Sequence, residues 1–183
     1  MAEFGEEVES YTLIYTSSSP EETQDLGLTL GEGLGPGDVV CLFGDLGAGK
    51  TCLAQGIAWG AGFPLDDFIS SPTFTIINEY EGRCPIYHLD FYRIRSQEEL
   101  TEVGYEEYLY GSGIAVVEWA DRLDGFLPPE RLEIWLRKMN PMQREITVTA
   151  LGSRFVQLME EIVQEMDPGE EGFTPQSHFP YNA

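Results

Sequence analysis

The sequence predicts an α/β fold in which helices cover both faces of a mixed, mostly parallel sheet. Nearly continuous apolar runs at residues 38–43 and 114–117 have the length and composition of strands that are buried on both faces. Segments with helical periodicity alternate with these runs, as in α/β sandwiches. Two strand-like stretches are separated by only four residues, 81–84, which indicates a hairpin and therefore some antiparallel pairing.

The elements can be placed in order along the chain. After a short opening strand at 11–15, a helix is predicted to begin at Pro20, because Ser19 has the position of an N-cap and Glu22 that of its capping-box partner. The other predicted elements are a strand at 38–43, a helix at 50–61, strands at 74–80 and 85–90, a helix at 97–110, strands at 114–117, 132–137 and 145–150, and an amphipathic helix at 153–166.

Length and composition indicate one folded domain at 1–166, followed by an acidic tail at 167–183 that is expected to be flexible. No apolar run is long enough to cross a bilayer, and the first 49 residues contain no Lys or Arg with which a secretory signal would begin. Three cysteines match neither a zinc site nor a disulfide framework. These features favour a cytoplasmic protein with reduced thiols.

The net charge of −22, from 32 acidic and 10 basic residues, argues against autonomous nucleic-acid binding. Lys50 and Lys138 are the only lysines, and the sequence contains no basic cluster. We therefore expect no stable, direct binding of tRNA or DNA. An acidic surface suits a basic protein partner, although solubility alone also explains it.

A phosphate-binding motif spans Gly44 to Thr51, matching G-x-x-x-x-G-K-[ST] between a predicted strand and a predicted helix. Gly47 and Gly49 permit backbone angles that turn successive N–H groups inward, and the following helix adds its positive end. Lys50 would bring a charge to the β and γ phosphates, and the Thr51 hydroxyl would bind Mg²⁺. The motif predicts a P-loop NTPase-like, three-layer sandwich with ATP and Mg²⁺ as cofactors.

Two acidic residues at strand ends are candidates for holding the metal ion. Glu118 ends the apolar run at 114–117, and Asp90 ends the strand at 85–90, where His88 shares its face of the sheet. Sequence alone leaves open which acid touches Mg²⁺. Neither lysine belongs to the Asn-Lys-x-Asp segment with which GTPases recognise guanine, so ATP is favoured over GTP.

Several further residues have both a functional and an ordinary interpretation. The hydroxyl-rich segment Ser71-Pro72-Thr73-Phe74 suits a loop that senses the γ-phosphate, or any surface turn. Trp119 could stack on a base or a partner, or belong to the core. Four arginines are candidates for neutralising phosphate charge, and each is equally consistent with an ordinary surface residue: Arg93, Arg95, Arg122 and Arg144.

Four motifs together resemble the bacterial TsaE family, formerly called YjeE, over about residues 16–151. They are Gly44 to Thr51, Ser71 to Phe74, His88-Leu89-Asp90-Phe91-Tyr92-Arg93 and Glu118-Trp119. The resemblance implies the ATPase component of tRNA threonylcarbamoyladenosine biosynthesis. Members of this family work with two partner proteins that transfer a threonylcarbamoyl group to adenosine 37 of tRNAs reading ANN codons, and the ATPase supports turnover of that complex.

The resemblance also implies roles for individual residues. Lys50, Asp90 and Glu118 would serve hydrolysis, with Thr51 and Glu118 as the Mg²⁺ ligands. Arg144 would contact the nucleotide, Pro20 would lie near the adenine, and the segment from Ser71 to Phe74 would be a switch-like loop. The phosphates would be wrapped by Leu46, Gly47, Ala48, Gly49, Lys50 and Thr51.

Two other functions use the same motif. In a small-molecule kinase, Asp90 would be the base for an acceptor hydroxyl, and Arg93 with Arg95 would clamp phosphate. In a nucleotide-gated scaffold, partners would sense bound ATP and hydrolysis would be incidental.

Overall fold

The computed structural model describes residues 8–165 and 173–176, and its helices and strands agree closely with the predicted order. A short 3₁₀ turn at Ala120–Leu123 follows the fifth strand. In chain order the helices and strands are β1 (Ser10–Ser17), α1 (Pro20–Gly33), β2 (Val39–Phe43), α2 (Lys50–Gly60), β3 (Ile77–Glu81), β4 (Pro85–Asp90), α3 (Gln97–Val103), α4 (Glu106–Leu109), β5 (Ile114–Glu118), β6 (Arg131–Lys138), β7 (Arg144–Leu151), α5 (Ser153–Glu165) and β8 (Phe173–Gln176).

The eight strands of the described residues belong to one mixed sheet in the order β3-β4-β5-β2-β6-β7-β1-β8. The four central strands, β4, β5, β2 and β6, pair in parallel. Antiparallel pairs extend the sheet on both sides, through the β3–β4 hairpin and through β7, β1 and β8. The carboxyl ends of the central strands therefore meet at one edge, which is where parallel α/β sheets bind ligands.

Helices cover both faces of the central sheet, and this arrangement confirms the predicted P-loop NTPase-like sandwich. Successive residues of β2 point to opposite faces. Val40 and Leu42 join the core beneath α1, α2 and α5. Cys41 and Phe43 join a second core, which is closed by α3, α4 and the 3₁₀ turn.

Helix α1 begins as the capping pattern predicts. The Ser19 hydroxyl accepts a hydrogen bond from the Glu22 N–H at 3.2 Å, and the Glu22 carboxylate accepts one from the Ser18 N–H at 2.6 Å. These bonds satisfy backbone donors that the first turn leaves free. Capping therefore fixes Pro20, the first helical residue, at the end of α1 where the predicted site lies.

The structure corrects two of the predicted elements. The helix predicted at 97–110 is divided into α3 and α4, because Gly104 adopts a left-handed conformation (φ 69°) that ends α3. The strand predicted at 74–80 begins only at Ile77, because Ile76 also has a positive φ of 68° and breaks the extended backbone. Residues 74–76 consequently belong to the loop that precedes β3.

Phe173–Gln176 form strand β8, which pairs antiparallel with β1 inside the segment predicted as a tail. The rest of that predicted tail, and the predicted helix end at Met166, lie outside the described residues. Across the part of the chain that the structure describes, no helix combines the length and apolarity needed to cross a membrane. Cys41, Cys52 and Cys84 are free thiols.

Candidate nucleotide-binding site

Three glycines shape the loop that joins β2 to α2. Gly44, Gly47 and Gly49 have φ angles of 133°, 76° and 112°, a region that favours glycine. A Cβ atom on Gly44 would lie 2.4 Å from the Leu136 carbonyl oxygen, so the loop packs directly on β6. A Cβ on Gly47 would meet nothing within 4 Å. The loop is therefore closely packed at its start and open at its tip.

The first turn of α2 has the features of an anion-binding site. Its N-cap, Gly49, makes no side-chain capping hydrogen bond. Amides at a helix start that no side chain caps are suited to phosphate oxygens, and the helix dipole favours negative charge there. The predicted phosphate segment, from Leu46 to Thr51, thus includes a helix start of the kind that suits an anion.

Lys50 is 4% exposed and is held above this loop by three contacts. Its Nζ donates to the carbonyl oxygens of Gly44 at 2.6 Å and Asp45 at 3.0 Å. The same atom lies 3.8 Å from the centroid of the Trp119 ring. Burial lowers the pKa of the ammonium group below its usual value, and the charges of Glu118 and Asp90 act in the opposite direction.

Thr51 and Glu118 come together although 67 positions separate them in sequence. The Thr51 hydroxyl donates to Glu118 Oε1 at 2.7 Å, and His88 Nε2 lies 2.9 Å from the same oxygen. A hydroxyl beside a carboxylate is the kind of oxygen set that suits Mg²⁺, which commonly binds one or two protein carboxylates together with substrate phosphates. In the described ranges no group of three or more His, Cys, Asp or Glu residues forms a metal cage, and this Mg²⁺ binding mode does not need one.

Asp90 lies beside Glu118 in the sheet, but its carboxyl group contacts the predicted switch-like loop. The hydroxyls of Ser71 and Thr73 donate to Asp90 Oδ2 at 2.6 and 2.7 Å. The Tyr92 N–H donates to Oδ1 at 2.9 Å. The structure thus gives the two candidate acids different surroundings: Glu118 contacts the P-loop threonine, and Asp90 contacts the loop.

The switch-like loop is anchored at one end and exposed in its middle. Pro72 is buried, whereas Phe74 is 85% exposed, with the Arg93 guanidinium 5.3 Å from its ring centroid. At the far end of the loop, the Ile76 carbonyl accepts from the Asp90 N–H at 2.9 Å. Of the described residues other than glycine, only Ile76 and Trp119 have positive φ, and such backbone strain is often found at functional sites.

A small cleft beside the P-loop contains Pro20, which was predicted to lie near the adenine, and Arg144, which was predicted to contact the nucleotide. Pro20 and Arg144 line it together with Cys52 and Met142. Arg144 Nε donates to the Ala48 carbonyl at 2.9 Å, so this guanidinium braces the phosphate loop. The Cys52 thiol donates to the Pro20 carbonyl at 3.3 Å.

The other three candidate arginines have different surroundings. Arg93 stacks over Phe74, and Arg122 lies 3.8 Å from the Asp121 carboxylate on the surface. The backbone N–H of Arg95 donates to Glu99 at the start of α3. Within the described chain, Arg144 alone among the four candidates hydrogen-bonds the P-loop.

Sequence reasoning assigned no role to three residues of the site. The polar contact of His88 and the cleft positions of Cys52 and Met142 depend on elements that are distant in sequence. One signal was present for His88: it interrupts an otherwise apolar β4 at a position that faces the same way as Asp90.

Comparison with known proteins finds similarity to one family. The family model of the threonylcarbamoyl adenosine biosynthesis protein TsaE matches residues 17–146. The tRNA threonylcarbamoyladenosine biosynthesis protein TsaE of Bacillus subtilis is 43% identical over 151 residues, which are 82% of this chain and 93% of the relative. The TsaE protein of Treponema pallidum is 42% identical over 72% of this chain and 96% of its own.

A solved structure shows the same fold. The crystal structure of Bacillus subtilis YdiB superposes with a TM-score of 0.70 at 38% identity, covering 87% of this chain and 98% of that one. The matched segment contains the P-loop, both candidate acids, the switch-like loop and Arg144. The chain therefore belongs to the TsaE family of tRNA threonylcarbamoyladenosine biosynthesis proteins.

Proposed function

We propose that this protein is a Mg²⁺-dependent ATPase that supports the complex transferring a threonylcarbamoyl group to adenosine 37 of tRNAs. The observation that carries the proposal is the 2.7 Å contact between Thr51 Oγ1 and Glu118 Oε1, directly below the glycine loop. In P-loop proteins that use Mg²⁺, a loop hydroxyl and a strand-end acid hold the ion beside the phosphates. Both groups are present here, next to a buried lysine.

Each group of the site has a defined part in this proposal. The amides of the loop and of the first turn of α2 bind the phosphates, and Lys50 neutralises charge that develops on them. Thr51 and Glu118 would hold Mg²⁺, which supplies charge stabilisation to the phosphoryl group when it is bound. Pro20 and Arg144 would border the base end, since both line the cleft beside Gly49.

Asp90 would couple hydrolysis to the switch-like loop. Its side chain is 2% exposed and already accepts three hydrogen bonds, two of them from Ser71 and Thr73. A group held in this way can serve hydrolysis only when the loop changes its contacts. We therefore propose slow turnover by the isolated chain and faster turnover when partners engage the loop, for which the exposed Phe74 offers a contact.

The partners in this proposal are the two protein subunits of the threonylcarbamoyl transferase complex. A net charge of −22 favours basic protein surfaces over RNA as the contact, so the tRNA would be held by the partners. Three free thiols accord with a reducing compartment, and we propose a cytoplasmic location.

Phosphate release from ATP with Mg²⁺ tests the proposal, first with the chain alone and then with the two transferase subunits. We expect slow release alone and a rise when the subunits are added. Lys50→Ala should weaken ATP binding and abolish release. Lys138→Ala is the matched control, because it removes the same charge from an exposed position on β6 and should retain both properties.

Three results would contradict the proposal in different ways. Unchanged release by Lys50→Ala would remove the assignment of the site. The small-molecule kinase would be favoured if the subunits did not change phosphate release and the protein transferred phosphate to a small acceptor. Full support of tRNA modification by a Glu118→Gln variant that binds ATP without hydrolysing it would favour the scaffold.

A further inference from the structure

We propose that His88 is a positioning residue that fixes the Glu118 carboxylate for Mg²⁺. This inference rests on the proposed function, in which Glu118 holds the ion. The observation behind it is the 2.9 Å contact between His88 Nε2 and Glu118 Oε1, formed where the two residues are 1% and 3% exposed.

The sheet places the two side chains on the same face. Strand β4 runs parallel to β5, with His88 opposite Val116 and Asp90 opposite Glu118. Every second residue shares a face, so the His88 ring points to the α2 side together with Glu118. Ile86, Ile114 and Val116 belong to the apolar core on this side, and His88 is a buried polar residue there, as are Asp90 and Glu118.

Among the described residues the ring makes a single polar contact, which is the one with Glu118. Because an ionised carboxylate only accepts hydrogen bonds, Nε2 must carry the proton in its contact with Glu118. Nδ1 is buried and has no hydrogen-bond partner among the described residues. Burying an imidazole costs free energy unless its polar atoms are bonded. An aliphatic residue would therefore pack this position at lower cost, and the contact with Glu118 is what distinguishes histidine here.

The two donors on Glu118 Oε1 have different fates in the proposed mechanism. The Thr51 hydroxyl also donates to this oxygen, but Thr51 is itself proposed to bind Mg²⁺ and would then direct its oxygen to the ion. His88 would be the donor that stays on the carboxylate. Partners of this kind orient ligating groups, and their loss typically lowers metal affinity by about 10- to 100-fold.

The test compares three substitutions by their effect on metal affinity. A fluorescent ADP analogue is titrated into each protein with and without Mg²⁺, and bound Mn²⁺ is measured in parallel by electron paramagnetic resonance. His88→Gln places an amide nitrogen near the position of Nε2, whereas His88→Asn places it near Nδ1. His88→Ala removes both nitrogens.

We expect His88→Ala and His88→Asn to lower the affinity for the metal at least about tenfold. Binding of the ADP analogue without metal should be unchanged in both variants. His88→Gln should restore most of the affinity. If His88→Ala does not fold, as judged by circular dichroism, His88→Asn and His88→Gln still test the inference. Both side chains are polar, and they differ in how far the amide nitrogen extends toward Glu118.

Equal metal affinity in the Asn and Gln variants, or in His88→Ala and the natural protein, would overturn the inference while leaving the proposed function intact. The natural protein is the control for the proposed function itself. If Mg²⁺ does not strengthen its binding of the analogue, and no Mn²⁺ binds, the proposed metal site fails and the role of His88 fails with it.

Discussion

Replacing Gly56 with alanine tests how closely α1 and α2 cross. A Cβ atom on Gly56 would lie 2.1 Å from the Gln24 carbonyl oxygen and 2.9 Å from its carbonyl carbon. The contact is reciprocal, since a Cβ on Gly31 of α1 would lie 2.3 Å from the Ile57 carbonyl oxygen. Because the opposing atoms belong to the backbone, a side chain can fit only if the helices separate by roughly 1 Å.

Two effects of opposite sign decide the outcome of Gly56→Ala. Alanine is favoured over glycine inside a helix by about 1 kcal/mol. Overpacking of a close contact costs about 1–3 kcal/mol, and a clash with rigid backbone belongs at the upper end. We therefore expect the free energy of unfolding to fall by about 2 kcal/mol, measured by urea denaturation with an unchanged m-value.

Gly33→Ala, at the end of α1 where that helix faces α5, is the comparison variant. Its Cβ would also approach a heavy atom to 2.1 Å, but that atom is Leu158 Cδ1, the end of a side chain that can rotate away. The free energy of unfolding should therefore fall less in Gly33→Ala than in Gly56→Ala. If Gly56→Ala instead raised the free energy of unfolding by about 1 kcal/mol, the change would equal the helix propensity of alanine without any cost of overpacking. That result would refute the close crossing of α1 and α2.

Two further predictions concern the surroundings of these helices. Arg83 donates to the carbonyl oxygens of Gly31, Leu34 and Gly60 at the ends of α1 and α2. Arg83→Ala should therefore lower the free energy of unfolding by about 1–2 kcal/mol, and Arg83→Lys should recover part of it. Equal stability of the two variants and the natural protein in urea would contradict the capping role. Cys52 lines the proposed base cleft, and burial and the charge of Glu21 raise the pKa of its thiol. Alkylation followed by mass spectrometry should show that Cys52 reacts faster as the pH rises above the usual cysteine range, and that ATP protects it. Labelling of Cys84 should be insensitive to ATP. Equal protection of both thiols by ATP would argue that Cys52 does not line the base cleft. Cys41, fully buried with its pKa raised to about 12, should not react in the folded protein.

The fold could be predicted where a local pattern determines the conformation. The loop and the start of α2 follow from the spacing of Gly44, Gly49 and Lys50, because that motif imposes its own backbone geometry. The division of the helix at Gly104 and the delayed start of β3 depend on positive φ angles that periodicity does not register. Glycine permits such an angle in many contexts, and nothing local to Ile76 predicts one.

The site could be predicted less completely, because its contacts depend on strand order. Asp90 and Glu118 both end parallel strands, so the sequence could not separate them. In the sheet, β5 lies directly beside β2, and β4 lies one strand further away. That difference brings Glu118 to Thr51 and leaves Asp90 to the switch-like loop. The role proposed for His88 depends on the same order, since β4 must neighbour β5 for the ring to reach Glu118.

The groups proposed to act on ATP already make hydrogen bonds within the protein in this structure. Lys50 donates to loop carbonyls, Thr51 donates to Glu118, and Asp90 accepts from Ser71. In the proposed mechanism, binding of Mg²⁺ and ATP would therefore exchange existing hydrogen bonds for new ones, and only the difference in their free energies would contribute to affinity. A partner that holds the switch-like loop away from Asp90 would remove part of that cost without touching the nucleotide. The proposed stimulation by partners would then act through the hydrogen bonds of the loop, and replacing Ser71 and Thr73 by alanine should raise turnover by the isolated chain while reducing further stimulation.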